Sequence, residues 1–129
     1  MNDNKGPDIL GVCEVENEHV IELLITSMST ALNKNYGFLL SEGDDKRGID
    51  TALIYDKTKY GPEQVTFSFR IIKRNTTRDL FQVHINTTNG NKIICILNHW
   101  PSRSGGELES EPFRIMVAEK LILLDRKNL

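Results

Sequence analysis

Cysteine is scarce in this chain, with only Cys13 and Cys95 among 129 residues. Two thiols so far apart supply neither a disulfide framework nor the close ligand spacing of a structural zinc site. Both fall inside apolar runs, where a thiol behaves as a small hydrophobe, so both are expected to be reduced core residues. Long hydrophobic runs are also missing. No stretch approaches the ~20 apolar residues of a membrane span, and the opening Met1-Asn2-Asp3-Asn4-Lys5-Gly6-Pro7 lacks the charged-then-apolar layout of a signal peptide. The expected compartment is therefore the cytoplasm. Neither sign of charge is in excess: 16 Lys and Arg stand against 18 Asp and Glu, for a net charge of −2. A global basic field that would draw the chain onto nucleic acid is thereby excluded, and contact with a polyanion must come from a local patch. Repeats, low-complexity tracts and linkers are absent too. With 39% hydrophobic and 26% charged residues, the chain reads as one globular domain, or part of one, long enough to bury a core.

What the sequence does hold is organised around Asn98-His99-Trp100-Pro101-Ser102-Arg103-Ser104-Gly105-Gly106. This polar, glycine-rich stretch follows the apolar run Ile93-Ile94-Cys95-Ile96-Leu97 and precedes a predicted helix start at Ser110-Glu111-Pro112. The run reads as a strand covered on both faces, and loops at the ends of rigid strands are where sites are built. An amide, an imidazole and a guanidinium lie within six residues. That set suits phosphate, because Arg grips its oxygens in a fork and His donates to a further oxygen or moves a proton. The other reading is a surface turn whose His and Arg are simply solvated.

Residues 8–15 form a predicted strand with apolar residues on both faces, expected to be central in its sheet. A carboxylate inside such a strand costs several kcal/mol unless a cation or a set of donors compensates it. Glu14 therefore calls for a metal or an Arg; alternatively the strand ends by residue 13 and Glu14 is solvated at its tip. Asn17 is a reasonable N-cap, and Val20, Ile21, Leu24, Met28, Ala31 and Leu32 recur at helical spacing up to Asn33-Lys34-Asn35. Short strands are predicted at 36–40 and at 48–55, the second entered past Arg47 and Asp50. Val65, Phe67, Phe69 and Ile71 alternate with polar residues, as in a strand with one face in solvent. A basic turn at 73–78 follows, then a strand in which Phe81, Val83 and Ile85 alternate with Gln82, His84 and Asn86. Asn89-Gly90 signals a hairpin into the 93–97 strand. This hairpin delivers Arg78 and His99 to one end of a sheet, and leaves His84 as an ordinary surface histidine. In the last helix Pro112 belongs to the first turn, and Phe113, Met116, Val117, Leu121 and Leu124 make the buried stripe.

Three segments together resemble the endonuclease/exonuclease/phosphatase superfamily: Pro7-Asp8-Ile9-Leu10-Gly11-Val12-Cys13-Glu14-Val15, Arg47-Gly48-Ile49-Asp50-Thr51-Ala52-Leu53-Ile54-Tyr55, and Asn98-His99-Trp100-Pro101-Ser102-Arg103. They are similar to its bacterial endonuclease-like branch and, more distantly, to deoxyribonuclease I. The resemblance implies an α+β fold, a two-sheet β-sandwich flanked by helices, and metal-dependent hydrolysis of phosphodiesters, most simply in nucleic acid. Glu14 matches the family's metal-binding glutamate, with Mg²⁺ or Mn²⁺ as the expected ion. His99 matches the histidine that contacts the scissile phosphate, and Asn98 would orient it. Arg78, Arg103 and Ser102 are implied as phosphate contacts, with Asp50 and Arg114 supporting them from behind. The chain departs from the pattern by lacking an opening strand with an active-site Asn, a Gly-Asp-x-Asn strand and a Ser-Asp-His segment. Residues 1–129 are accordingly expected to be a partial domain, inactive alone and carrying exposed edges and apolar faces. A phosphomonoesterase, a phospholipid phosphodiesterase and a noncatalytic phosphate- or protein-binding module are the alternatives.

Overall fold

The structure, a computed structural model, describes residues 5–41, 50–69, 80–100, 103 and 105–128. Among them, six strands form two antiparallel sheets. In the first, β1 (Ile9–Val15) and β2 (Tyr36–Ser41) flank β3 (Asp50–Asp56). In the second, β4 (Tyr60–Phe69), β5 (Leu80–Thr87) and β6 (Lys92–Leu97) lie in chain order. Helix α1 (Glu18–Leu32) covers the outer face of the first sheet and α2 (Glu107–Asn128) that of the second.

This layering follows from how the strands distribute their side chains, since successive residues point to opposite faces. In β3, Ala52 and Ile54 turn toward α1, where Ile21, Ile25, Met28 and Leu32 meet them. Leu53 turns the other way, into a core shared with Ile9 and Leu39 from its own sheet and with Phe81, Val83, Ile85 and Leu97 from the second. Gly11 is part of this face: a Cβ there would stand 3.1 Å from Leu97, so β1 lies directly over β6. A third core joins Leu80 and Ile96 to Val117, Leu121 and Leu124 of α2. The result is the expected two-sheet sandwich between helices, an α+β fold.

Several sequence expectations are corrected. β1 is not central; β3 is, and β1 pairs only with β3 among the described residues. Its apolar residues on both faces reflect the layers above and below it, which period-2 patterning cannot separate from in-sheet neighbours. Cys13 is exposed, whereas Cys95 is half-buried and its thiol is pushed up by burial. On α1 the packed stripe runs through Ile25, while Val20, Leu24 and Ala31 stand at its exposed rim. β4 begins at Tyr60, earlier than the alternation suggested. The polar face of β5 is not in solvent, because α2 covers that side of its sheet: Gln82 is buried, and its amide nitrogen donates to Nε2 of the half-buried His84 at 2.6 Å. Finally, α2 starts at Glu107, so Pro112 lies inside it and Ser110, read as the start signal, is a buried residue that donates to Glu107 O and accepts from Arg114 Nη1. Met116 lies on the outer face of α2, where Leu108, Ile115, Ile122 and Leu123 are also exposed. The predicted basic turn at 73–78 lies outside the described residues.

Paired charges close one end of the sandwich. Lys34 Nζ donates to Asp8 Oδ1 at 2.6 Å and stands 3.5 Å from Asp56 Oδ2, and Lys59 Nζ reaches Asp8 Oδ2 at 2.9 Å. Tyr36 Oη adds a bond to Pro7 O, and Asp56 Oδ1 accepts from both the amide and the hydroxyl of Thr58. The hydrogen bonds from Lys34 and Lys59 hold the Asp8 carboxyl below its usual range. Burial pushes Asp56 up, but the Thr58 bonds and Lys34 outweigh it and the net direction is down. These groups come from three separate stretches of the chain, residues 7–8, 34–36 and 56–59, which is why no local motif announced them.

Candidate functional site

The opposite end of the sandwich is built differently. In β1 the pairing with β3 runs in register from Ile9↔Tyr55 to Cys13↔Thr51 and then slips, so that Val15 faces Asp50. Glu14 is the extra residue, a β-bulge, with φ at +63°. A non-glycine residue in this left-handed region costs roughly 1–2 kcal/mol, and bulges commonly re-aim a side chain next to a site. Asn33 is the other non-glycine residue with positive φ among those described, and it is an ordinary helix C-cap whose N–H bonds to Ser29 O. Glu14 has no such local explanation.

What the bulge accomplishes is visible across the sandwich. Glu14 Oε1 lies 3.5 Å from His99 Nε2, joining the end of β1 to the residue pair that follows β6. The two partners differ in exposure, 67% for the Glu14 side chain against 19% for that of His99. An exposed carboxylate thus faces a mostly enclosed imidazole. The expectation of a buried Glu14 is corrected here: the bulge turns the side chain out of the layered interior, although the strand continues to Val15. Beside His99, the Asn98 side-chain nitrogen is buried without a hydrogen-bond partner among the described residues. Asp50 is buried at the start of β3, opposite Val15 and so beside the bulge.

The remaining predicted site residues fall elsewhere or outside view. Arg103 is exposed at the entry to α2, 3.9 Å from Glu107. Arg114 is half-buried on α2 and bonds Ser110 Oγ at 2.5 Å. Arg78 and Ser102 lie outside the described residues. β5 begins at Leu80, however, and Phe81 pairs with Leu97, so the chain enters β5 at the end of the sheet where His99 leaves β6. The structure therefore brings Glu14 and His99 into contact, sets Asp50 and Asn98 beside them, and leaves Arg103 ahead of α2 and Arg114 on it.

As a metal site this is an open arrangement. No three His, Cys, Asp or Glu side chains converge among the described residues, so a closed cage of the zinc kind is not formed by them. One exposed carboxylate does suit Mg²⁺, which keeps most of its waters and takes few protein oxygens. Among the described residues no helix is long and apolar enough to cross a membrane.

No curated protein and no solved structure matches the chain. A family model does: the endonuclease/exonuclease/phosphatase model matches residues 1–125, which takes in both sheets, both ends of the sandwich and most of α2. The chain belongs to the endonuclease/exonuclease/phosphatase family, a family of phosphoester hydrolases.

Proposed function

We propose that the Glu14–His99 end of the sandwich binds the scissile phosphate and the divalent cation of a metal-dependent phosphodiesterase acting on nucleic acid. The observation that carries this reading is the strained bulge that sets the Glu14 carboxylate 3.5 Å from His99 Nε2. Glu14 and the phosphate would hold Mg²⁺ or Mn²⁺, which when bound neutralises phosphate charge and stabilises the leaving oxygen. His99, whose Nε2 faces this end of the sandwich, would donate to a phosphate oxygen or to the departing one. The Asn98 side-chain nitrogen, buried beside it, supplies a second donor. Asp50 would support the strand end that carries Glu14, and Arg78, Ser102, Arg103 and Arg114 remain phosphate contacts or their supports by resemblance.

The 129 residues contain no Gly-Asp-x-Asn and no Ser-Asp-His segment, the groups that would activate the attacking water. Binding is therefore the sound test. Because a ligand at tenfold excess over its Kd contributes about 1.4 kcal/mol, Mn²⁺ should raise the Tm by roughly 5 °C. Glu14→Gln keeps the shape but removes the charge, and should abolish this shift. An undiminished shift in that variant would remove Glu14 from the site.

A further inference from the structure

The chain has a single tryptophan, and it directly follows His99. Trp100 is 44% exposed and is the one aromatic among the large apolar side chains exposed in the described residues. The other exposed ones are aliphatic side chains or methionine, and most of them lie on helices α1 and α2. An indole offers what those cannot: a flat, rigid π-face with a single N–H at its rim.

Its position decides what that face can meet. Adjacent Cα atoms are about 3.8 Å apart, so the two residues stand closer together than one nucleotide is long. A phosphate contact at His99 says nothing of what hangs from the phosphate. With a net charge of −2 there is no long-range attraction for a polyanion either, so affinity must come from short-range contacts. Stacking on a nucleobase is such a contact, and it is indifferent to sequence because every base has a π-face. Bases inside a duplex already stack on one another, so an exposed platform of this kind selects bases that are unpaired.

We infer that Trp100 is a stacking platform for an unpaired nucleobase next to the phosphate bound at Glu14 and His99, which makes single-stranded nucleic acid the substrate class. The inference rests on the phosphodiesterase reading above.

The test measures binding of fluorescein-labelled phosphorothioate strands to the full chain in Mn²⁺ by anisotropy. An oligothymidylate should bind about 5- to 100-fold tighter than an abasic strand of equal length, and should quench Trp100 emission. Trp100→Ala should bring the oligothymidylate down to the abasic level, whereas Trp100→Phe should keep most of the difference. Equal affinity of the wild type for both strands, or a preference that survives Trp100→Ala, overturns the platform while phosphate binding stands. A blunt duplex bound as tightly as the single strand overturns the choice of substrate class. If neither strand binds, the nucleic-acid reading itself fails, and the platform with it.

Discussion

Replacing Glu14 by glycine should leave the fold as stable as before or stabilise it, while destroying the candidate site. The side chain is 67% exposed and its pairing with His99 is largely solvated, so losing the carboxylate costs between nothing and about 1 kcal/mol. Against this stands the backbone. At φ +63° any residue with a Cβ carries a penalty of roughly 1–2 kcal/mol that glycine does not, offset by about 0.4–1 kcal/mol because glycine gives the unfolded chain more freedom. Glu14→Ala isolates the difference, because it also removes the carboxylate but keeps the Cβ. Glu14→Gly should therefore exceed Glu14→Ala by about 0.5–1 kcal/mol, or ~2–4 °C in Tm for a chain of this size. Urea titrations followed by far-UV circular dichroism, with thermal melts alongside, resolve a gap of that size. Neither variant should respond to Mn²⁺. If Glu14→Ala proves as stable as Glu14→Gly, residue 14 is not in a left-handed bulge. If Glu14→Gly loses more than about 2 kcal/mol, the carboxylate is structural and the site argument fails.

Other substitutions probe the frame that holds the site. Gly37 faces Tyr55 across β2 and β3, where a Cβ would stand 2.8 Å from Tyr55 Oη and 2.9 Å from Cζ. Because Tyr55 is buried, Gly37→Ala must displace its ring and should cost about 1–3 kcal/mol in a urea titration. Leu53, fully enclosed between the sheets, should cost about 2–5 kcal/mol when cut to alanine, and the same titration reads it. Asp8 and Asp56 titrate below the usual carboxylate value when folded, so their stabilisation is complete above about pH 5 and is lost as pH falls through the folded values. Lys34→Met brings both carboxylates closer to their unfolded values. It should lower stability at pH 7 and flatten the fall between about pH 5 and pH 2, read by melts across pH.

The strands and the first helix were legible because each is governed by neighbours in sequence. Alternation locates β5, the apolar run locates β6, and the Asn17 side chain accepts from Val20 N as its N-cap position predicts. The start of α2 was misread because Pro112 fits a first helical turn, whereas the helix begins directly after Gly105 and Gly106, both at positive φ. A buried Ser110 behind Arg114 gives no signal that alternation or capping rules could find. Strand order was likewise hidden, since β1 pairs with β3 across a helix and a further strand. Cys13 shares the inward face with Ile9 and Gly11, yet it is exposed, and depth along a strand cannot be read from period-2 patterning. Of the site, Glu14 and His99 were named singly by family resemblance, and their contact was not foreseen. Nor was the bulge that produces it, because it uses an ordinary glutamate where a glycine would have announced it.

The two ends of the sandwich put charge to different uses, and the difference supports the site proposed at the Glu14 end. At one end Asp8, Lys34, Asp56 and Lys59 neutralise one another through bonds as short as 2.6 Å, and each carboxylate gains from being there. At the other, Glu14 sits in the costly conformation, is mostly exposed, and reaches its basic neighbour at 3.5 Å, beyond good hydrogen-bond length. An arrangement that takes on backbone strain for so loose a contact is poorly explained by stability. It is well explained by an open carboxylate that a cation can reach while an imidazole stands ready beside it. Strain of this kind persists only where the surroundings over-determine it, and here they do: β1 is pinned by β3 on both sides of the bulge and by Leu97 beneath Gly11. The sandwich is thus held where Glu14 is anchored and open where it points, which is the geometry that the proposed phosphate and metal chemistry would use.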